Sequence, residues 1–196
     1  MDREMRIYEK LMRAGTSHVL RILDFMRDEE YTAIVTEFAD GGDLQEHVRA
    51  RESGLSVSEA KEIALELAKA LKELHSYDVV HRDLKPQNVL ALGGHWKLAD
   101  FGISKSTSHV VTKKTFQQYG TLGYAAPEQV QGVEARPSAD IYSFGKVLVF
   151  LLTGQTDADF VTYPAWRDLI LRCIRFDPKE RPEINKVIED VENIPA

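Results

Sequence analysis

Between Ser56 and Asp100 the chain sets three patterns end to end, and together they leave few ways to fold. Ser56 and Glu59 have the spacing at which a hydroxyl caps a helix start and an acid three residues on returns the bond. Ile63, Leu67, Leu71 and Leu74 follow as an apolar stripe with Ala60, Ala64 and Ala68 beside it, which predicts a helix over 57–75. A polar stretch, 81–88, comes next. Val89–Leu92 and His95–Leu98 then flank Gly93-Gly94, a two-residue loop that tolerates the positive φ of a tight hairpin. A hairpin folds the chain back on itself, so Asp100 returns to the side of Asn88.

Weaker patterns surround this block. Residues 4–12 place Met5, Tyr8 and Met12 on one face of a short helix. Leu20–Met26 and Tyr31–Glu37 are β-rich runs joined by the polar stretch from Arg27 to Glu30, a predicted hairpin. Gly41-Gly42 breaks the pattern, and Asp43 can cap a helix that begins there. Residues 103–123 hold no sustained period and read as a long loop. A helix is predicted over 139–153, with Ser138 as cap and Gly154 as stop; it is apolar on nearly all sides and should run through the core. Trp166, Leu169, Ile170, Cys173 and Ile174 mark another. Pro182 suits the first position of a last helix carrying Ile184, Val187, Ile188 and Val191. The predicted organisation is a small, partly β segment, 1–38, ahead of a mostly helical body, 39–196, with the boundary at 38–42.

Composition narrows the function classes. With 43% hydrophobic and 29% charged residues over 196 positions, the balance is that of an ordinary globular chain. Such a length buries roughly 70% of its unfolded surface, so no disulfide or metal is needed to hold a core. The formal charge of −6 argues against nucleic-acid partners, which need excess Lys and Arg. Cys173 is the only cysteine, which rules out a disulfide framework and, with six scattered histidines, any zinc spacing. The longest apolar run, Val147 to Leu152, is far short of the ~18 residues that span a bilayer. Met1-Asp2-Arg3-Glu4 has no apolar leader. The expected location is cytoplasmic, with the nucleus as an alternative, and no membrane partner is expected.

Four groups that carry chemistry occur in order: His81-Arg82-Asp83-Leu84-Lys85-Pro86-Gln87-Asn88, then Asp100-Phe101-Gly102, Ala126-Pro127-Glu128 and Arg181-Pro182. Asp83 and Asn88 lie five apart on one loop, and the hairpin brings Asp100 alongside. A carboxylate and an amide oxygen make a hard-oxygen pair suited to Mg²⁺, which also keeps phosphate oxygens as ligands. Taken singly, Asp83 and Asn88 are also common turn-capping residues, and Asp100 a common solvated turn acid.

Taken together, the ordered groups resemble the eukaryotic-type protein kinases. The resemblance implies an α+β, protein-kinase-like fold with a remnant small lobe (a helix plus a β-hairpin) and a near-complete, mostly helical large lobe. It implies a serine/threonine protein kinase, a transferase that moves the ATP γ-phosphoryl group to protein Ser/Thr hydroxyls with Mg²⁺. Asp83 would accept the hydroxyl proton, Lys85 would reach the transferred phosphate, and Asn88 and Asp100 would hold the metal. The run Ile34-Val35-Thr36-Glu37-Phe38-Ala39 resembles the family's hinge. The backbone of Glu37 and Ala39 would meet the adenine edge, Thr36 would guard the deeper pocket, and Leu90 would lie under the base. His81 would pack under Phe101, Glu128 would pair with Arg181, and Asp140 would anchor the catalytic loop. Asp-Leu-Lys-Pro-x-Asn and Thr121 resemble Ser/Thr rather than tyrosine enzymes. Arg82 implies a loop ordered by phosphate on Thr112 or Thr115, supplied by an upstream kinase.

The sequence also departs from that family. No Gly-x-Gly-x-x-Gly and no Val-Ala-x-Lys strand occur in the 196 residues. Glu4 matches the acid that pairs with that lysine, but Lys10 lies nearly opposite it on the predicted helix, and Lys97 is expected to face solvent from the hairpin. The stretch from Gly154 to Trp166 is short, so the family's peripheral helix is expected to be absent or vestigial. The favoured expectation is a piece of a complete kinase. The alternative is a catalytically dead, kinase-like binding or regulatory module.

Overall fold

The computed structural model describes residues 3–27, 32–51, 54–100, 123–134 and 136–195. The expectations for the Glu4 side chain, the 28–30 turn, Phe101, Gly102, Thr112, Thr115 and Thr121 fall outside the described residues.

Helix α1 (Arg3–Ala14) buries Tyr8 and Leu11, and the Tyr8 ring lies 5.5 Å from Phe25 of β1 (Ile22–Arg27). Strand β1 pairs antiparallel with β2 (Thr32–Thr36), Phe25 opposite Ile34, with an irregularity between Ile22 and Asp24. The second hairpin, β3 (Val89–Leu92) and β4 (His95–Leu98), forms over Gly93 and Gly94 with φ of 61° and 83°, as the two-residue loop requires. The hairpins are stitched together: Leu20 N donates to Leu98 O at 2.8 Å, and Leu98 N to His18 O at 2.9 Å.

The predicted boundary at 38–42 is pinned rather than loose. Gly41 N donates to Ala91 O at 3.1 Å, and Ala91 N to Gly42 O at 3.0 Å. The approach is so close that a Cβ on Gly41 would stand 2.7 Å from the Ala91 Cβ, so only glycine fits without a shift. Helix α2 (Leu44–Arg49) follows, with Asp43 Oδ1 accepting from Glu46 N at 2.9 Å.

Helix α3 (Val57–Ser76) buries the predicted stripe, including Leu67, Leu71 and Leu74 at 0% exposure. Each such leucine contributes about 1.5–3 kcal/mol through burial. Its start is capped by Ser56 Oγ, which accepts from Glu59 N at 3.2 Å. The return bond of a capping box does not form. The Glu59 carboxylate accepts instead from Arg51 Nη2 at 2.9 Å and His47 Nε2 at 2.8 Å, because the charged Arg51 guanidinium outcompetes a neutral backbone N–H.

Beyond a short helix α4 (Pro127–Val130) comes α5 (Pro137–Thr153), buried on most of its surface and packed against α3. Its cap is Arg136, not the expected Ser138, because Pro137 with its fixed φ and missing N–H takes the first helical position. Gly154 ends it at φ 69°. A single 3-10 turn, Ala158–Phe160, stands before α6 (Pro164–Cys173), which agrees with a vestigial peripheral element. The last helix, α7 (Ile184–Asn193), packs on α3. It begins two residues later than expected. Glu183 stays extended and its carbonyl takes the first helical bonds, from Lys186 N and Val187 N, which leaves Pro182 outside.

Candidate active site

The segment from α3 to β3 is held in an unusual backbone path by one buried carboxylate. Asp140, 1% exposed near the start of α5, accepts from the backbone N–H groups of His81 and Arg82 and from His75 Nε2, each at 2.9 Å. Arg82 has φ 70°, a left-handed conformation that costs a non-glycine residue on the order of 1–3 kcal/mol and persists only when its surroundings dictate it. A second tether comes from α4, where Gln129 Nε2 donates to Arg82 O at 2.9 Å.

His81 sits beneath the loop at 0% exposure. Its Nε2 donates to Ala99 O at 2.9 Å, and its Nδ1 accepts from Asp83 N at 3.2 Å. That pattern demands the neutral ring with the proton on Nε2. Burial pushes the His81 pKa below its ordinary value of 6.5, although the charges of Asp140, Asp83 and Asp100 and the Ala99 bond pull the other way. His81 is therefore a spacer between the loop and the end of β4, not a proton carrier.

The chemical groups gather above it. Lys85 Nζ donates to Asp83 Oδ2 at 3.0 Å, with the two side chains 19% and 11% exposed. The 3-10 turn Pro86–Asn88 brings Asn88 back, and its Nδ2 donates to Asp83 O at 2.8 Å and reaches Asp83 Oδ2 at 3.4 Å. With its nitrogen spent on Asp83, Asn88 is left with Oδ1 as a donor for a cation. Ala99 N donates to Asn88 O at 2.8 Å, so the next residue, Asp100, exposed at φ 58°, stands beside Asn88. The charges of Asp83 and Asp100 both act on the His81 ring.

Among the described residues no group of three or more His, Cys, Asp or Glu is arranged to hold a metal ion. The Asn88 amide oxygen and the Asp100 carboxylate are the available donors. Two hard oxygens fit Mg²⁺, which completes its octahedron with water and phosphate oxygens, and do not fit zinc.

The remaining site residues lie along one strap. Glu37 is half-buried, Phe38 is 85% exposed and Ala39 is half-buried; no described residue hydrogen-bonds to Glu37 O or Ala39 N. Thr36 is exposed at the end of β2. Leu90 is half-buried on β3, bridged to Asp43. Lys97, expected to face solvent, instead donates to Glu37 Oε1 at 2.8 Å and keeps only 18% of its side-chain surface. The signal was legible: the two-residue loop pairs Lys97 with Leu90, and cross-strand partners share a face.

A structural pair completes the framework. Arg181, its side chain 0% exposed, meets Glu128 through Nη1–Oε1 at 2.6 Å and Nη2–Oε2 at 2.8 Å, as expected. Arg181 also donates to the carbonyls of Ser138, Arg175 and Phe176.

A family model described as protein kinase domain matches residues 1–162. The chain is 39% identical over 154 residues to a probable serine/threonine-protein kinase, PknB, of Lactococcus lactis, covering 77% of the chain and 24% of that protein. It is 31% identical to an Aurora kinase of Schizosaccharomyces pombe, covering 95% of the chain and 56% of that protein. It is 32% identical to an SNF-related serine/threonine-protein kinase of Rattus norvegicus, covering 87% of the chain and 26% of that protein. The chain thus spans between 24% and 56% of the length of these relatives.

Proposed function

Because the chain belongs to the protein kinase family, on the serine/threonine side, we propose that it carries the catalytic loop of a phosphotransfer site for ATP and protein hydroxyls. Asp83 accepts the proton of a substrate Ser or Thr hydroxyl and orients its oxygen. Lys85, held on Asp83 at 3.0 Å, is a point charge on a flexible stem that would reach the transferred phosphate. Asn88 Oδ1 and Asp100 are the oxygens that would hold Mg²⁺. When bound, the metal neutralises charge on the phosphate oxygens. Glu37 O and Ala39 N offer an acceptor and a donor to the adenine edge, and Leu90 supplies the apolar surface beneath it.

The observation that carries this reading is the double use of Asn88. Its amide nitrogen fixes Asp83 O at 2.8 Å, and its backbone carbonyl fixes Ala99 N at 2.8 Å, so base and metal groups are set by one residue. Phosphoryl transfer asks little of a protein beyond such placement and charge.

Control of the site fits the same loop. Arg82 Nε is buried and has no hydrogen-bond partner among the described residues. A phosphate on Thr112 or Thr115, added by an upstream kinase, would give it one.

Thermal melting with ATP tests the proposal. A rise in midpoint with ATP plus Mg²⁺, larger than with ATP plus chelator and lost in Asp100→Ala, supports it. A flat response in the wild-type chain overturns it in favour of a kinase-like binding module without catalysis.

A further inference from the structure

Glu37 is where three segments meet. Its backbone N–H donates to Arg21 O at 3.0 Å. Its Oε1 accepts from Arg21 N at 2.9 Å and from Lys97 Nζ at 2.8 Å. The Glu37 and Lys97 side chains keep 24% and 18% of their surface, so the pair is far better shielded than an ordinary surface ion pair. Burial alone would raise the Glu37 carboxyl. The Lys97 and Arg21 hydrogen bonds and charges outweigh it and hold the group below its ordinary range, ionised at neutral pH.

The strap from Glu37 to Gly42 is therefore fastened at both ends. At Glu37 it is tied to β4 and to the lead-in of β1; at Gly41 and Gly42 it is tied to Ala91 of β3. Between the fastenings lie Phe38, Ala39 and Asp40, too few residues to sag far. The same hairpin carries both anchors, and Lys97 is the direct cross-strand partner of Leu90. Cross-strand partners project to one face, so the ammonium that grips the strap and the leucine below it belong to one surface.

We infer that Lys97 is a positioning residue for the adenine end of the nucleotide: by gripping Glu37 it sets the height of the strap above Leu90, and so the spacing of Glu37 O and Ala39 N. The inference rests on the nucleotide reading above. It also assigns Lys97 a role other than phosphate binding, because its ammonium is committed to Glu37 on the strap.

Four chains are compared: wild type, Lys97→Met, Lys97→Arg, and Arg172→Met as a control that removes two other ion pairs, Arg172 with Asp168 and with Asp190, remote from the strap. Two quantities are measured: affinity for adenosine, ATP·Mg²⁺ and tripolyphosphate·Mg²⁺, and amide hydrogen exchange at 37–42 without ligand. Lys97→Met should weaken adenosine and ATP·Mg²⁺ by a similar factor, roughly tenfold, and leave tripolyphosphate·Mg²⁺ within about twofold. It should speed exchange at Glu37, whereas Lys97→Arg restores both readouts and Arg172→Met alters neither. Unchanged exchange at 37–42 in Lys97→Met, with a wild-type chain that binds adenosine, overturns the role of Lys97 alone. A wild-type chain that binds no adenosine overturns the nucleotide reading with it. A selective loss of tripolyphosphate·Mg²⁺ overturns the inference in favour of a phosphate-binding lysine.

Discussion

Asp140 Oδ1 accepts the backbone N–H of Arg82 at 2.9 Å, and Arg82 is one of three non-glycine residues described with positive φ. The acid and the strain belong together: without the acceptor, the left-handed turn that leads into Asp83 would keep only the Gln129 bond to the Arg82 carbonyl. Asp140→Asn keeps the shape but turns an NH₂ toward backbone donors. It should cost roughly 3 kcal/mol, read as a lower urea midpoint at an unchanged slope. A midpoint within 0.5 kcal/mol-equivalents (about the scatter of surface substitutions) would mean the loop holds itself.

The Glu128–Arg181 pair makes a different prediction. Arg181 uses all three nitrogens at fixed angles, two on Glu128 and the rest on carbonyls. Lysine cannot reproduce that fork. Arg181→Lys should destabilise by about 3–5 kcal/mol by leaving Glu128 underpaired in a buried setting, and Glu128→Gln combined with Arg181→Met should recover part of the loss. Unfolding curves of the three chains decide this; equal midpoints for Arg181→Lys and wild type would contradict it.

Much of this framework was legible before the fold was in hand. The α3 stripe, the Gly93-Gly94 hairpin and the order of the motifs placed Asp83, Asn88 and Asp100 near one another, because periodicity and a two-residue loop leave little freedom. Helix ends were less legible. Ser138 and Pro182 each carry a genuine start preference, but Pro137 displaced the first and the extended Glu183 displaced the second. Polar pairings were least legible, since they depend on which elements pack together. Glu59, Glu66 and Glu73 stand seven apart on α3 and accept from His47, His95 and His18, three histidines of three different segments. The spacing was visible, but the partners were not. Lys97 is a similar case: its register was readable, yet its burial follows from the strap lying over it.

Acid should weaken the fold through His81. The ring is held neutral, with its pKa below the unfolded value of about 6.5, chiefly by burial. Above that unfolded value neither state binds the proton, and the contribution is fully present. As pH falls below it, the unfolded chain takes up a proton that the folded chain refuses, so stability declines until the folded pKa is passed. The wild-type chain should lose more stability than His81→Gln between pH 7.5 and 5.5, up to about 1.4 kcal/mol per pH unit. Urea midpoints that run parallel for the two chains would contradict the buried neutral ring.

Lys85 and Asn88 should separate in their effects on nucleotide and rate. Lys85→Met removes a charge beside Asp83 without touching the cation oxygens, so transfer should slow while Mg²⁺-dependent melting with ATP is retained. Asn88→Ala removes both the tether on Asp83 O and an oxygen for the cation, so it should raise the Mg²⁺ concentration needed for half-maximal stabilisation. Magnesium titrations followed by melting distinguish them; the same Mg²⁺ midpoint in Asn88→Ala and wild type would remove Asn88 from the metal set.

The proposed convergence of Asp83, Asn88 and Asp100 is tested most directly by transfer of labelled γ-phosphate from ATP·Mg²⁺ to a generic protein substrate. Wild type should transfer, Asp83→Asn should fall by about 10²–10⁴-fold with ATP-dependent melting intact, and Asp100→Ala should lose both transfer and the Mg²⁺-dependent shift. Transfer by wild type and both variants at one rate, or none by a wild-type chain that melts alike with and without ATP·Mg²⁺, would contradict the account.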